Sequence, residues 1–145
     1  MKQPITIPVK LKYGGEGYQL VEDYVYAWKA ADGIERLLTV PQSFIYDGAS
    51  VPRAAWTFSG ITPDGLIRAA ALVHDFVYRY GGKLPRNTYG RIKDGVWQDL
   101  HGSEWSRKDA DRIFARIMRE AGVSKVKRRL AYTAVRSFGW ASWRG

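Results

Sequence analysis

The side chains able to do acid–base or ligand chemistry are few, and the most distinctive of them sit in an apolar run. Residues 69–80 read A-A-A-L-V-H-D-F-V-Y-R-Y, which puts His74 beside Asp75. An imidazole titrates close to neutrality and can take a proton from water, while a carboxylate beside it can face a cation. A helix turns about 100° per residue, so adjacent side chains cannot aim at one atom. His74 falls on the flank of a stripe made by Leu66, Ala69, Ala70, Val73, Val77 and Tyr80, and Asp75 on the side away from it. That geometry suits a base beside a cation better than a simple ion pair. D-G-A-S-V-P at 47–52 contributes Asp47, and A-D-R-I-F at 110–114 contributes Asp111, which lies on the flank of its own helix stripe as His74 does. Two helices packed antiparallel could bring His74 and Asp111 within hydrogen-bond reach. His101, in D-L-H-G, sits among turn formers and reads as a solvent-facing loop residue. No His/Cys zinc spacing, phosphate-binding glycine loop or Gly-x-Ser-x-Gly elbow occurs.

The elements that would hold these residues follow from periodicity. Residues 5–12, 18–29 and 34–40 are rich in Val, Ile, Leu, Tyr and Trp, and Gly14-Gly15 and Asp32-Gly33 separate them, which predicts an antiparallel meander. Pro41 stops the third strand and 43–46 forms a short fourth, so residues 1–46 are mostly β. Residues 47–63 form a loop in which Ser50 caps and Pro52 opens a short helix. A central helix spans 64–81 and ends at Gly81-Gly82. Residues 83–105 carry too many breakers for a long helix and read as a loop with a hairpin around Asp94-Gly95.

Two helices fill 106–138. In the first, Ser106 and Asp109 form a capping box, and Ala110, Ile113, Phe114, Ile117, Met118 and Ala121 make the inward stripe. In the second, capped by Ser124, Val126, Leu130 and Ala134 face inward while Lys125, Arg128, Arg129, Tyr132 and Arg136 share the opposite face. The fold class is therefore α+β, an N-terminal antiparallel β-meander packed on a C-terminal three-helix region that carries the His-Asp helix. Residues 1–145 read as a single domain.

Composition bounds the function classes. A chain that is 46% hydrophobic and 14% aromatic is not generally disordered, and no apolar run approaches the ~18 residues of a membrane span. The first ten residues alternate like a strand and carry no signal-peptide pattern. The absence of cysteine excludes disulfides and thiolate zinc and points to synthesis in a reducing cytoplasm. Net charge is +9, and residues 104–145 hold 11 basic against 4 acidic side chains. Lys125, Arg128, Arg129 and Arg136 thus form a candidate polyanion-binding face for nucleic acid, anionic lipid or an acidic protein.

Taken in order, D-G-A-S-V-P, H-D-F-V-Y-R, A-D-R-I-F and the close Ala134-Val135-Arg136-Ser137-Phe138-Gly139 resemble a domain-of-unknown-function family of tailed-phage and prophage proteins, over residues 40–139. The same order is distantly similar to the bacterial and fungal branch of secretory phospholipase A2. That second resemblance implies His74 as the base that activates water, Asp111 as its orienting carboxylate, and Asp75 with Asp47 as ligands of Ca2+. Calcium takes six to eight oxygens, which two carboxylates, loop carbonyls and water could supply. Three functions follow as expectations. One is a calcium-dependent phospholipase A2-like ester hydrolase on anionic membrane. Another is a non-catalytic virion, tail or host-interaction protein in contact with other phage proteins. The third is a basic nucleic-acid binder. As a phage product the chain is expected to be made in the host cytoplasm and packaged in the virion.

Overall fold

A polar break decides the layout of the strands. The run expected as one strand over 18–29 is two, β2 (Glu16–Leu20) and β3 (Tyr24–Lys29), parted by Val21, Glu22 and Asp23. The Asp23 carboxylate accepts the Gln42 amide at 2.7 Å, and the Val21 amide donates to the Ile5 carbonyl at 2.9 Å. These bonds hold a bend from which the two strands enter different sheets. The computed structural model describes residues 2–12, 14–47, 51 and 68–144. Within them, β1 (Thr6–Lys10), β2 and β5 (Ile45–Tyr46) form one sheet in the order β1-β2-β5. The other runs β3-β4-β6-β7, with β4 (Glu35–Val40), β6 (Tyr89–Lys93) and β7 (Val96–Asp99). All pairings are antiparallel, and the β3–β4 register runs from Tyr24 opposite Val40 to Lys29 opposite Glu35. Asp94 and Gly95, at φ 53° and 76°, make the two-residue turn between β6 and β7 that the Asp-Gly pair predicts.

Alternation along β3 and β4 turns Tyr24, Tyr26, Leu38 and Val40 into the core. Against them lies helix α1 (Arg68–Arg79), whose expected start at 64–67 falls outside the described residues, as do the expected Ser50 cap and Pro52. Every residue from Ala69 to Tyr78 is buried, so the expected amphipathic helix with Asp75 facing outward is not what forms. The physical reason is position. α1 packs on β4, β5 and helix α2 (Arg107–Glu120), while Trp143 from the C-terminal end covers Tyr78 with ring centroids 5.0 Å apart. A helix enclosed this way must satisfy its polar groups internally.

α2 starts as expected, with the capping box of Ser106 and Asp109 in place. Helix α3 (Lys125–Phe138) is capped by Ser124, but its rotation differs from the expected one. Ala131, Ala134 and Val135 are buried, whereas Val126 and Leu130, expected inward, are 69% and 44% exposed. Polar ties set this rotation. Arg107 donates to the Val135 and Arg136 carbonyls at 2.8 Å each, which places a cation at the negative end of α3, and Arg136 reaches inward to α2. A short 3-10 turn (Gly139–Ser142) follows.

Gly82 locks the end of α1 to the segment entering α2. Its carbonyl accepts the Trp105 amide at 2.9 Å, its φ is +81°, and a Cβ would collide with the Trp105 carbonyl. Gly102 has φ +97° with open space around it. Gly82→Ala is expected to cost more than ~2 kcal/mol and Gly102→Ala only ~1 kcal/mol, because only the first adds a collision to the backbone strain. Urea unfolding of the two variants checks this, and equal losses would show that the close approach at Gly82 does not matter.

Candidate functional site

The buried face of α2 holds one carboxylate, and three other side chains converge on it. His74 Nε2 lies 2.7 Å from Asp111 Oδ1, and the Tyr78 hydroxyl donates to the same oxygen at 2.6 Å. Arg136 donates to Oδ2 at 2.8 Å, with Arg107 3.6 Å from that oxygen. His74 and Asp111 are both 0% exposed. The His74 ring packs between Tyr78 and Phe114, at centroid distances of 4.1 and 4.8 Å. Spacing explains the set. His74 and Tyr78 stand four apart on α1, as do Arg107 and Asp111 on α2, so each pair shares a helix face.

Burial works to raise the Asp111 carboxyl, but hydrogen bonds from His74 and Tyr78, the charge interaction with His74 and the Arg136 bond outweigh it and hold Asp111 below the usual carboxylate range. Burial first, and then the bond to Asp111, pushes the Tyr78 hydroxyl well above its ordinary value. The unit is therefore an ionised carboxylate whose first oxygen takes the histidine and tyrosine and whose second takes an arginine.

Asp75 and Asp47 are brought to a neighbouring place. Together with Tyr78, Arg79, Ser142 and Arg144 they line a cavity of about 170 Å3. Tyr78 thus belongs to both, lining the cavity while its hydroxyl reaches Asp111. Asp75 is 5% exposed, and Asp47 is exposed. Near Asp75, burial raises the Tyr46 hydroxyl, Arg68 lowers it and the Asp75 charge raises it. Arg79 is engaged elsewhere, donating to the Ile45 carbonyl at 2.9 Å and lying over the Phe44 ring. Two carboxylates on one small cavity are hard oxygen donors of the kind a calcium ion takes, although no cluster of three or more His, Asp or Glu ligands occurs among the described residues. Residues 48–50, which continue the D-G-A-S loop, lie outside the described residues.

The expected polyanion face is altered by one residue. Lys125 and Arg129 are exposed on α3 and Arg128 is half-buried, but Arg136 turns inward to Asp111 and does not share their surface. The buried charge on Asp111 draws it there. His101 is exposed in its turn, as expected. Tyr78, Arg107 and Arg136 were not expected in the site. The i,i+4 spacings from His74 and Asp111 were the available signal for the first two, and for Arg136 there is none short of the packing of α3 on α2.

The chain belongs to a family described as a protein of unknown function (DUF1353), whose sequence profile matches residues 18–135 and so spans Asp47, the His-Asp helix and Asp111. No curated protein and no solved structure matches the chain.

Asp111 makes stability depend on pH in a defined direction. Its folded carboxyl ionises more readily than an unfolded one, so its contribution is complete above the unfolded value of 3.8 and disappears as pH falls through the lower folded value. Asp111→Asn is expected to cost ~3 kcal/mol at pH 7, since it leaves Arg136 without its buried partner. The deficit should narrow as pH drops below about 4. Urea unfolding of wild type and variant at pH 7, 5 and 3 measures this, and a deficit that stays constant with pH contradicts the ionised assignment.

Proposed function

We propose that the chain is a phage-encoded, calcium-dependent ester hydrolase of the phospholipase A2 type that acts on anionic phospholipid. The observation that carries this reading is the His74–Asp111 couple next to the cavity shared by Asp75 and Asp47, with Tyr78 common to both. Asp111 holds the imidazole through Nε2, and in the proposed reaction the other ring nitrogen, Nδ1, would take a proton from water. Tyr78 and Arg136 fix the carboxylate in turn, so the base keeps one orientation. A calcium ion held by Asp75 and Asp47 would polarise the ester carbonyl and stabilise the oxyanion. The outer surface of α3 suits a lipid interface, because Val126, Leu130, Phe138 and Trp140 are exposed on the same C-terminal region as Lys125 and Arg129. On this reading the protein is made in the host cytoplasm, travels in the virion and meets membrane at host entry or lysis.

A second reading rests on a different observation. His74 and Asp111 are both 0% exposed and Arg136 neutralises the carboxylate, an arrangement that ties α1, α2 and α3 together whether or not a substrate ever reaches it. In that case the chain is a non-catalytic virion, tail or host-interaction protein.

Thermal melting with and without calcium, run beside turnover of fluorogenic phospholipid in anionic vesicles, separates the two. For the hydrolase, millimolar calcium raises the wild-type melting temperature, as a ligand of the folded state must. Asp75→Asn should lose that shift. His74→Gln should keep it and lose ~10² to 10⁴ in turnover. No calcium shift and no turnover leave the non-catalytic reading.

A further inference from the structure

A larger cleft lies away from the His74 site, between the β3-β4-β6-β7 sheet and the outer face of α2. Its volume is about 620 Å3, within the range of small-molecule sites. One wall is aromatic. Trp28 on β3 and Tyr89 on β6 lie nearly parallel, 12° apart, and Trp105 meets both edge-on at 79° and 78°. The opposite wall is cationic. Arg112, Arg116 and Arg119 recur at helical spacing along α2, and Arg128 reaches in from α3.

The cleft's lining includes Asp109, but its carboxylate is taken up by the Ser106 amide of the α2 cap at 2.8 Å, which leaves few protein anions for the guanidinium groups. Arg116 has Glu120, at 3.4 Å, and Glu120 is itself held by the Tyr26 hydroxyl at 2.8 Å. The side chains of Arg112, Arg119 and Arg128 make no hydrogen bond or ion pair with any described residue, and the Arg128 Nε is buried without a partner among them. Like charges gathered around a concavity repel one another, and a low-dielectric wall concentrates their field on whatever enters. Guanidinium forks match phosphate oxygens two at a time. Glu104 also lines the cleft, exposed and with no hydrogen bond or ion pair to a described residue, and its carboxylate can accept from an amino group.

We propose that this cleft binds a nucleoside phosphate, with the base against the Trp28–Trp105 wall, its amino edge toward Glu104, and the phosphate on Arg112, Arg119 and Arg128. A bare polyanion would use only the cationic wall and would be repelled by Glu104. A purely apolar ligand would leave the arginines unused. A planar base carrying both an amino edge and a phosphate uses all three features. The shared chemistry has two sources, a free nucleotide and a single-stranded nucleic acid. A second depression of about 540 Å3, which continues past Arg112 and Arg128 to Lys125 and Arg129, gives a strand room for further phosphates.

Calorimetric titration of the full chain tests this with guanosine monophosphate, cytidine monophosphate, uridine monophosphate, guanosine, pyrophosphate and an oligo(dC) strand. Guanosine and cytidine monophosphate are expected to bind about tenfold or more tightly than guanosine or pyrophosphate, and more tightly than uridine monophosphate, whose base has no amino group. Glu104→Gln should reduce that base preference. The double variant Arg112→Gln/Arg119→Gln, whose residues are exposed and dispensable to packing, should weaken binding about tenfold or more with unfolding unchanged. Trp28→Leu should weaken the nucleotides but not pyrophosphate. Oligo(dC) bound more tightly than cytidine monophosphate, with strong salt dependence, identifies a strand as the source, and the reverse order identifies a free nucleotide. The proposal is overturned if pyrophosphate binds as tightly as the nucleotides, if neither nucleotide nor strand binds at about millimolar concentration, or if the folded double arginine variant binds unchanged.

Discussion

A carboxylate with no solvent contact is costly unless it is both paired and hydrogen-bonded, and Asp111 meets that condition by drawing on two other helices. His74 and Tyr78 reach it from α1 and Arg136 from α3, while Arg107 on α2 itself stands close to its second oxygen. Removing a partner of such a charge costs far more than the pair adds over an apolar replacement. The interaction therefore works as a constraint on geometry. It fixes which face of α1 meets α2, and it sets the rotation of α3, on which Val126 and Leu130 are left exposed while Ala131, Ala134 and Val135 are buried.

α2 consequently has two characters. Its inner face carries Asp111 among Ala110, Phe114, Ile117 and Met118, all buried, and its outer face carries Arg112, Arg116 and Arg119 along an open cleft. Negative charge is held inside by strong partners and positive charge stands outside with few. The link to the sheet runs through Glu120, which accepts the Tyr26 hydroxyl and lies beside Arg116. Burial, then the bond to Glu120, pushes the Tyr26 hydroxyl well above its ordinary value, so that phenol stays a neutral donor. The Tyr24 hydroxyl, also raised to about 12 by burial and the Glu120 charge, donates to the Lys2 carbonyl at 2.6 Å and fastens the N-terminal segment to the same sheet.

What the sequence by itself determined is local. Asp94-Gly95 makes its hairpin turn because both residues tolerate positive φ, and Ser106 with Asp109 caps α2 because the partners stand three apart. Gly81-Gly82 ends α1 for a similar reason, and the change from strand to helix periodicity was enough to read an α+β fold. His74, Asp75, Asp47 and Asp111 could be singled out by residue type and order. Their convergence could not, since Asp47 meets Asp75 across the β5–α1 approach and Asp111 meets His74 across 37 positions of chain. The break at Val21–Asp23 that sends β2 and β3 to different sheets depends on Ile5 and Gln42, both distant in sequence. The inward turn of Arg136 depends on a carboxylate buried on another helix. Tertiary structure decided these points because periodicity records only which side chains one helix or strand presents together, whereas the cost of an unpaired buried charge is resolved by whichever donor the packing of several elements brings within reach.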